Sequence, residues 1–336
     1  MPRLAFTNTD TAPQLSRPVQ QLGSLHKALA DVLRLQVLRV LKSESFGVLE
    51  LSRIMRTRQS ALSHHLKILA TADLVSTRRE GNSIFYRRAF LADHDPHREI
   101  KAAVYDRLDS TDLPAAQQRK IRQIQLERSQ QSLGFFNRNA TRFREKQGLI
   151  VEHADYHGSL LKVIEGLGID AGASVLEVGP GEGQLLVRLH TMFNRLTALD
   201  NSRDMLQRSR AAVAENSGKG VTFIEGDTKV ARKRKKLHDL IIFDMVLHHI
   251  SSPPRSFRDS AALLKTGGCL LLAELSSHDQ DWVRETCGDV WLGFEESDLN
   301  HWAEKAGLSI GQSSILSLRN GFQIQIRVFH KGIPDT

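Results

Sequence analysis

The sequence has no apolar run long enough to cross a membrane and only two cysteines in 336 residues. A membrane-spanning helix needs about 20 apolar residues, whereas the longest candidate, 269–273, has only the length of a strand. Residues 1–21 lack the apolar core of a secretion signal, so we expect no export. Cys269 and Cys287 are too far apart for a C-x-x-C metal site, and this low cysteine content favours a reducing, cytoplasmic setting.

The chain does carry a strongly uneven distribution of charge. Residues 1–90 hold 14 Lys and Arg against 6 Asp and Glu, whereas residues 91–336 hold 32 of each sign. The net charge of +8 therefore lies entirely in the first quarter of the protein. Because a chain of this length exceeds the usual size of one core, we expect two domains. The basic one is predicted to bind a polyanion, while the neutral one is not.

The basic quarter has the helix pattern of a DNA-binding module. An amphipathic helix is predicted over 24–41, a short helix near 48–55, and a second helix over 59–70 after a turn at 56–58. Leu62, Leu66 and Leu69 turn inward on the second helix, while a polar and basic face turns outward. Two helices joined by so short a turn predict a helix-turn-helix whose second helix enters the major groove of DNA.

A predicted β-hairpin follows this second helix. Two short β-type runs between Leu74 and Arg88 flank a turn at 80–82, and both arms carry arginines. A basic hairpin in this place is a wing that can reach phosphates or the minor groove, although a single arginine could equally be solvated surface. The predicted DNA-contacting residues are Arg58, Gln59, Ser60, Ser63, His64, Lys67, Arg78, Arg79 and Arg87.

Three segments of this module, 26–31, 60–67 and 73–81, are similar to the ArsR (SmtB-like) family of winged-helix repressors. The resemblance implies a homodimer that reads two half-sites of a double-stranded DNA operator. Metal-sensing members carry cysteines where this chain has Val48–Ser52, so metal sensing is not expected. His64 and His65 are adjacent on a helix and face different ways. We expect His64 to face DNA and His65 to pack against its own domain, and we predict no metal site.

The sequence predicts four segments. Residues 1–20 form a flexible tail, 21–92 the winged helix-turn-helix, 93–134 a helical linker or dimerisation segment, and 135–336 the second domain. Within the linker, a helix over 115–132 has only a thin apolar stripe, which suits a dimer seam or a spacer. The aromatic run 135–143 is either a lid on a bound ligand or ordinary core.

The second domain contains the most informative motif of the chain. A short apolar strand, 175–178, runs into Gly179, Gly181 and Gly183, and a second apolar run ends at Asp200. Glycines let the backbone approach a ligand, and a carboxylate at the end of the next strand suits ribose hydroxyls. A glycine turn alone could be a helix cap or tight loop. Strands alternating with helices through residue 273 predict a doubly wound parallel sheet.

This domain resembles class I S-adenosylmethionine-dependent methyltransferases. The matching segments are 177–183, 200–205, 226–227, 239–249 and 264–274. The resemblance implies that the glycine loop holds the methionine part of the cofactor, that Asp200 holds the ribose, and that Asp227 lies by the adenine amino group. The predicted binding residues for S-adenosylmethionine or S-adenosylhomocysteine are Glu177, Gly179, Gly181, Gly183, Asp200, Asn201, Met205, Gly226, Asp227, Thr228 and Met245. The predicted class is α/β overall, an α+β winged helix followed by a Rossmann-like domain.

Methyl transfer from a sulfonium needs positioning and, for a poor nucleophile, a base. The candidate catalytic residues at the strand ends are His248, His249 and Glu274, although the histidines could be packing or lid residues. The basic segment 232–236 is either a solvated connector or a second contact with DNA or an acidic partner.

Three functions are consistent with this organisation. The first is a transcriptional regulator whose methyltransferase-like domain binds the cofactor as an effector. The second is an active small-molecule methyltransferase whose winged helix regulates its own operon. The third is a DNA or RNA methyltransferase, which the absence of an acceptor motif disfavours. We favour the first, because no acceptor-activating group is compelling in the sequence.

Overall fold

A computed structural model describes residues 17–139, 147–216 and 220–332. The chain divides into two compact units, one of residues 1–78 and 84–118, the other of residues 79–83 and 119–336. This division does not coincide with the boundaries predicted at 20, 92 and 134, which stay predictions. Of the predicted flexible tail, residues 1–16 lie outside the described part. No helix in the described ranges combines the length and apolar character that a membrane crossing requires.

The first unit is built from short helices around a small sheet. Its elements are α1 Arg17–Leu29, α2 Val32–Val40, β1 Phe46–Gly47, α3 Val48–Met55, α4 Gln59–Thr71 and α5 Arg98–Asp109, together with most of the hairpin formed by β2 Val75–Glu80 and β3 Ser83–Arg88, whose residues 79–83 are counted in the second unit. The sheet order is β1-β3-β2. Leu38, Leu51 and Leu66 from three of the helices are fully buried and form part of its core.

The predicted helix-turn-helix and wing are confirmed. Arg56, in the left-handed conformation with φ 54°, ends α3, and α4 begins three residues later. Gly81 has φ 62° in the turn between β2 and β3, a conformation that favours glycine. The single helix predicted over 24–41 is wrong. Asp31 interrupts it, because its side chain accepts a hydrogen bond from the Arg34 N–H at 2.9 Å and starts a new helix.

The second unit is a doubly wound α/β domain, which confirms the predicted fold class. Its strands are β4 Ser174–Val178, β5 Arg195–Asp200, β6 Thr222–Glu225, β7 His238–Asp244, β8 Leu264–Leu275, β9 Leu308–Ser317 and β10 Gln323–Lys331. The sheet order is β6-β5-β4-β7-β8-β10-β9. The first five strands in this order pair in parallel, and β10 pairs antiparallel with both β8 and β9.

The helices of this unit are α6 Ala115–Asn139, whose first residues belong to the first unit, then α7 His153–Gly166, α8 Gln184–Met192, α9 Arg203–Glu215, α10 Thr228–Lys233, α11 Pro253–Leu263, α12 Trp282–Thr286 and α13 Glu296–Lys305. Parallel neighbours flank β4 on both sides, since β5 and β7 each pair with it. The chain therefore changes direction across the sheet at β4, and in such sheets ligands bind at the carboxyl ends of the strands beside this switch point.

Helices α7, α12 and α13 of the second unit were not predicted from the sequence. The edge strand β9, whose many serines look like a loop, was not predicted either. The segment predicted as a basic loop, 232–236, begins on helix α10. There the Arg232 guanidinium lies 2.8 Å from Oδ1 of Asp259, and Lys236 donates to Thr197 Oγ1 at 3.2 Å. Those two cations are engaged within their own domain.

Candidate cofactor site

A cavity of about 330 Å³ lies in the second unit, at the carboxyl ends of β4, β5 and β7. Ten of the eleven predicted cofactor-binding residues line it, namely Glu177, Gly179, Gly181, Asp200, Asn201, Met205, Gly226, Asp227, Thr228 and Met245. Gly183 does not. It is the residue before α8, buried with φ 86°, where a Cβ would lie 2.9 Å from the Ser209 Cα. Its role is therefore to let α8 and α9 pack closely.

Gly179 is the residue at which the loop after β4 is most constrained. It has φ 69°, and a Cβ built on it would lie 2.3 Å from Cγ2 of Val246. No side chain fits between this backbone and Val246. The consequence is a stretch of bare main chain along the cavity wall, as the glycine spacing predicts.

Replacing Gly179 with alanine is expected to lower the melting temperature and disturb the loop, because positive φ and the Val246 contact both oppose a Cβ. Gly168→Ala is the matched control, since Gly168 has φ 62° but nothing within 4 Å of its Cβ position. The control substitution should lower the unfolding free energy by only about 1–2 kcal/mol, because an alanine at positive φ is strained even where its Cβ meets no other atom. Calorimetric melting of both variants checks this, and equal losses would contradict the close contact.

Asp200 ends β5 and takes part in the cavity wall. One carboxylate oxygen accepts a hydrogen bond from the Ser202 N–H at 2.7 Å, which fixes its orientation. Burial raises the pKa of Asp200 to about 6, against the lowering effect of the Ser202 and Asn201 N–H groups. The carboxylate is ionised at neutral pH and can accept hydrogen bonds from hydroxyl groups.

The side chains after β6 are already partly engaged. Asp227 begins α10, where its Oδ1 accepts from the Val230 N–H at 3.0 Å. The Thr228 hydroxyl donates to Asp259 at 2.8 Å, so Thr228 contributes mainly surface to the cavity. Asp227 stays exposed. It keeps acceptor capacity for an amino group, since a carboxylate has several lone pairs.

Two further carboxylates, those of Glu177 and Asp244, line the cavity, and the sequence predicted only Glu177. Glu177 is buried, and burial followed by the charges of Asp244 and Asp200 raises its pKa well above the ordinary value. Asp244 hydrogen-bonds the Tyr156 side chain, and burial raises the Tyr156 pKa well above 10. His153 lies 3.8 Å from Asp244. Tyr156 and His153 both line the cavity from α7, a helix signalled only by the spacing of Tyr156, Leu160 and Ile164.

The three candidate catalytic residues lie together, but only His249 lines the cavity. His248 and Glu274 are fully buried beside it, with His248 Nδ1 and Glu274 Oε1 2.5 Å apart. Neither can touch a ligand in the cavity directly. Burial opposes protonation of His248, but the carboxylates of Glu274 and Asp289 outweigh it and raise its pKa to about 9. Burial and the His248 charge hold the pKa of His249 well below 6.5, so His249 is neutral.

One end of the predicted aromatic run also reaches this place. Phe136 lines the cavity, and its ring meets the His249 ring edge to face with centroids 4.7 Å apart. Phe136 therefore covers the imidazole. The part of the run at 140–143 lies outside the described residues.

The predicted DNA-contacting residues of α4 share an exposed face. Arg58, Gln59, Ser60, Ser63, His64 and Lys67 are all exposed, whereas Leu62 and Leu66 are buried. Ser63 donates to the Gln59 carbonyl at 2.9 Å. His65 turns away, 3.6 Å from Asp31, as predicted. On the hairpin, Arg79 is exposed and donates to the Gly81 carbonyl, while Arg78 and Arg87 are half-buried and Arg87 lies over the Phe90 ring.

Comparison with known proteins gives one match near the N-terminus of the chain and another in its second domain. Residues 31–77 match the family model described as "Bacterial regulatory protein, arsR family", and residues 152–313 match the one described as "Methyltransferase domain". The protein thus joins a winged-helix DNA-binding domain to a Rossmann-like methyltransferase domain. Its N-terminal domain is of ArsR type, and the fusion inferred from the sequence is confirmed.

The curated relatives each cover one part of the chain. A transcriptional repressor SmtB homolog of Synechocystis is 37% identical over 70 residues, 21% of this chain and 53% of that protein. A ubiquinone biosynthesis O-methyltransferase of Coxiella burnetii is 26% identical over 163 residues, 45% of this chain and 69% of that protein. A polyketide synthase-nonribosomal peptide synthetase of Aspergillus clavatus is 30% identical over 147 residues, 39% of this chain but 4% of that protein.

Solved structures of methyltransferases resemble the chain at low identity. Magnesium protoporphyrin IX methyltransferase from Synechocystis with bound SAM has a TM-score of 0.43 and 19% identity, over 52% of this chain and 80% of that one. The N-methyltransferase NodS from Bradyrhizobium japonicum, in complex with S-adenosyl-L-homocysteine, has a TM-score of 0.43 and 18% identity, over 54% of this chain and 87% of that one.

Proposed function

We propose that this protein is a DNA-binding transcriptional regulator whose methyltransferase domain binds S-adenosylmethionine or S-adenosylhomocysteine as an effector. The observation that carries the proposal is the cavity at the switch point of the sheet. It combines the bare backbone at Gly179 with the ionisable carboxylate of Asp200, on two adjacent parallel strands. A nucleoside with a thioether or sulfonium side chain needs both features.

Each part of such a ligand has a group suited to it. Asp200 would accept hydrogen bonds from the ribose hydroxyls, and exposed Asp227 would accept from the adenine amino group. The apolar side chains of Met205 and Met245, both buried at the cavity, would pack against the base. The loop from Gly179 to Gly181 would lie along the amino-acid part. The match of residues 152–313 to the methyltransferase family model supports this assignment.

The DNA-binding half of the proposal depends on α4 and the charge of the N-terminal quarter. The exposed polar face of α4 offers hydrogen-bonding groups to base edges, while the net charge of +8 in residues 1–90 favours phosphate contact. The ArsR-type match supports a homodimer on a two-half-site operator. In this proposal the small-molecule effector biases the dimer toward or away from DNA.

Coupling between the two ligands is the test of this function. An effector must bind the DNA-competent and DNA-incompetent states with different affinity, and such coupling is typically about 5–150-fold. We expect saturating S-adenosylhomocysteine to change the DNA dissociation constant by at least about fivefold. Fluorescence anisotropy on a duplex selected from random sequences by the protein itself measures it. An unchanged constant, with the nucleoside shown to be bound, would reject the effector role.

Methyl transfer is the second candidate function, and the position of His249 favours it. A neutral imidazole at the cavity wall can remove a proton from an acceptor hydroxyl. The match to an O-methyltransferase of ubiquinone biosynthesis makes phenols the first acceptors to test. Formation of S-adenosylhomocysteine in the presence of a phenol, lost in His249→Ala while cofactor binding persists, would establish this activity.

A further inference from the structure

A cluster of buried ligand-type side chains lies behind the cavity wall. His248 and His249 form the short 3₁₀ helix after β7, and Asp289 lies between α12 and α13. One donor atom from each of the three lies within 4.8 Å of the others. Oδ1 of Asp289 is 4.0 Å from Nε2 of His248 and 3.7 Å from Nδ1 of His249. All three residues are buried, with exposed fractions of 0%, 6% and 4%.

Four of the six side-chain nitrogen and oxygen atoms of this cluster lack a hydrogen bond within the described residues, whereas Nδ1 of His248 pairs with Glu274 and Nδ1 of His249 donates to the Gly288 carbonyl at 3.4 Å. Within the described residues, neither carboxylate oxygen of Asp289 has a hydrogen-bond partner, and nor does Nε2 of His248 or of His249. A buried carboxylate without a hydrogen bond is costly, and such groups usually mark a partner that the chain does not supply. Oδ1 of Asp289 and Nε2 of His248 lie 4.0 Å apart, so a single bound ion could contact both atoms.

Glu274 completes the arrangement. Its carboxylate lies 2.5 Å from Nδ1 of His248 and also 3.2 Å from the His248 backbone N–H. Nδ1 is thereby committed to Glu274, which leaves Nε2 directed toward Asp289. In metal sites, a ligating histidine usually binds the metal through one ring nitrogen and donates a hydrogen bond from the other to a carboxylate, which fixes its orientation. The pairing of His248 with Glu274 fits this arrangement.

We propose that His248, His249 and Asp289 form a binding site for a divalent transition-metal ion, with Zn²⁺ as the best match. Two imidazoles and one carboxylate suit such ions, whereas Mg²⁺ and Ca²⁺ prefer oxygen ligands alone. Bonds of about 2.0–2.2 Å in a tetrahedral site place the donor atoms about 3.3–3.6 Å apart, so only small side-chain movements are needed. The sequence alone predicts no metal site. Because His249 also lines the cavity, this ion would border it and leave one coordination position free. A His249 side chain that ligates the ion would not also serve as the base of the second candidate function.

The full-length chain without a polyhistidine tag, stripped with EDTA, is the material for the test. We expect one Zn²⁺ per chain in competition titrations against a chromophoric chelator, and a tetrahedral visible spectrum when Co²⁺ replaces Zn²⁺. Asp289→Asn and His249→Ala should each weaken Zn²⁺ binding at least about tenfold. The added Zn²⁺ should raise the melting temperature of the wild-type protein but not of these variants.

Asp298→Asn is the matched control, because Asp298 is also a buried carboxylate but lies on α13 outside the cluster. It should bind Zn²⁺ as the wild type does. Wild-type protein that takes up no stoichiometric Zn²⁺, or variants that bind it equally well, would overturn the proposal. If Asp289→Asn fails to fold by circular dichroism, His249→Ala decides the question. Titrating the same samples with S-adenosylhomocysteine measures the nucleoside site separately. The loss of the metal site can therefore be distinguished from a failure of the proposed function.

Discussion

Asp200→Asn should weaken the binding of S-adenosylhomocysteine by at least about 100-fold in titration calorimetry. Hydrogen bonds to a charged group contribute about 1.5–3 kcal/mol each, and a ribose offers two hydroxyls to this carboxylate. The asparagine side chain keeps an oxygen that can accept from the Ser202 N–H, so the loop should hold its shape. The loss would therefore report on the ligand and not on folding.

Two controls sharpen this result. Asp204→Asn removes an exposed acid on α9 that is not part of the cavity wall, and it should leave affinity unchanged. In the wild type, affinity should be full above the Asp200 pKa of about 6 and fall as the pH drops through it, because only the ionised carboxylate accepts both hydroxyls. Wild-type affinity in Asp200→Asn at neutral pH would refute the assignment of the ribose position.

His64→Ala should weaken binding to the selected duplex by about 10–100-fold, because a good base contact is worth about 1–3 kcal/mol. His64 is exposed on α4 and contributes no buried surface, so the melting temperature should stay the same. His26→Ala is the matched control, an exposed histidine on α1 of the same unit. Anisotropy titrations against the selected duplex and against a scrambled one should show the loss only on the selected sequence.

The wing gives the contrasting pattern. Arg79→Ala should weaken binding to both duplexes equally and reduce the slope of affinity against salt by about one unit, since it removes one phosphate contact. A sequence-dependent loss in Arg79→Ala, or a uniform loss in His64→Ala, would mean that the roles of wing and recognition helix are assigned wrongly.

Patterns that repeat along the chain made most of the fold predictable. The buried strands β4, β5 and β7 are mostly apolar, and the leucines of α4 recur at helical spacing. The prediction of a single helix over 24–41 was wrong because Asp31 caps a new helix through a local hydrogen bond to the backbone. The spacing of hydrophobic residues does not reveal such a cap. Strand β9 was not predicted because an edge strand with an exposed face needs few apolar residues, and its serine-rich sequence is also typical of a loop.

The sequence predicted the parts of the candidate site that depend on local backbone conformation. It did not predict the parts that depend on packing between residues far apart in the sequence. Gly179 and Asp200 stand next to strands that the sequence reveals, so their convergence follows from the parallel topology. Asp289 lies 40 residues beyond His249 in a segment with no regular pattern, and only the folded chain brings the two together. Tyr156 and His153 reach the cavity from a helix that precedes the first strand, and the recognised motifs do not extend there.

Calorimetric titration of the full-length protein with S-adenosylhomocysteine, in the absence and presence of the selected duplex, measures both the nucleoside site and its coupling to DNA. We expect one nucleoside per chain. DNA should change the nucleoside affinity by the same factor by which the nucleoside changes the DNA affinity, since the coupling of two ligands is reciprocal. No heat of binding in either titration, with nicotinamide or flavin dinucleotide bound instead, would contradict this expectation.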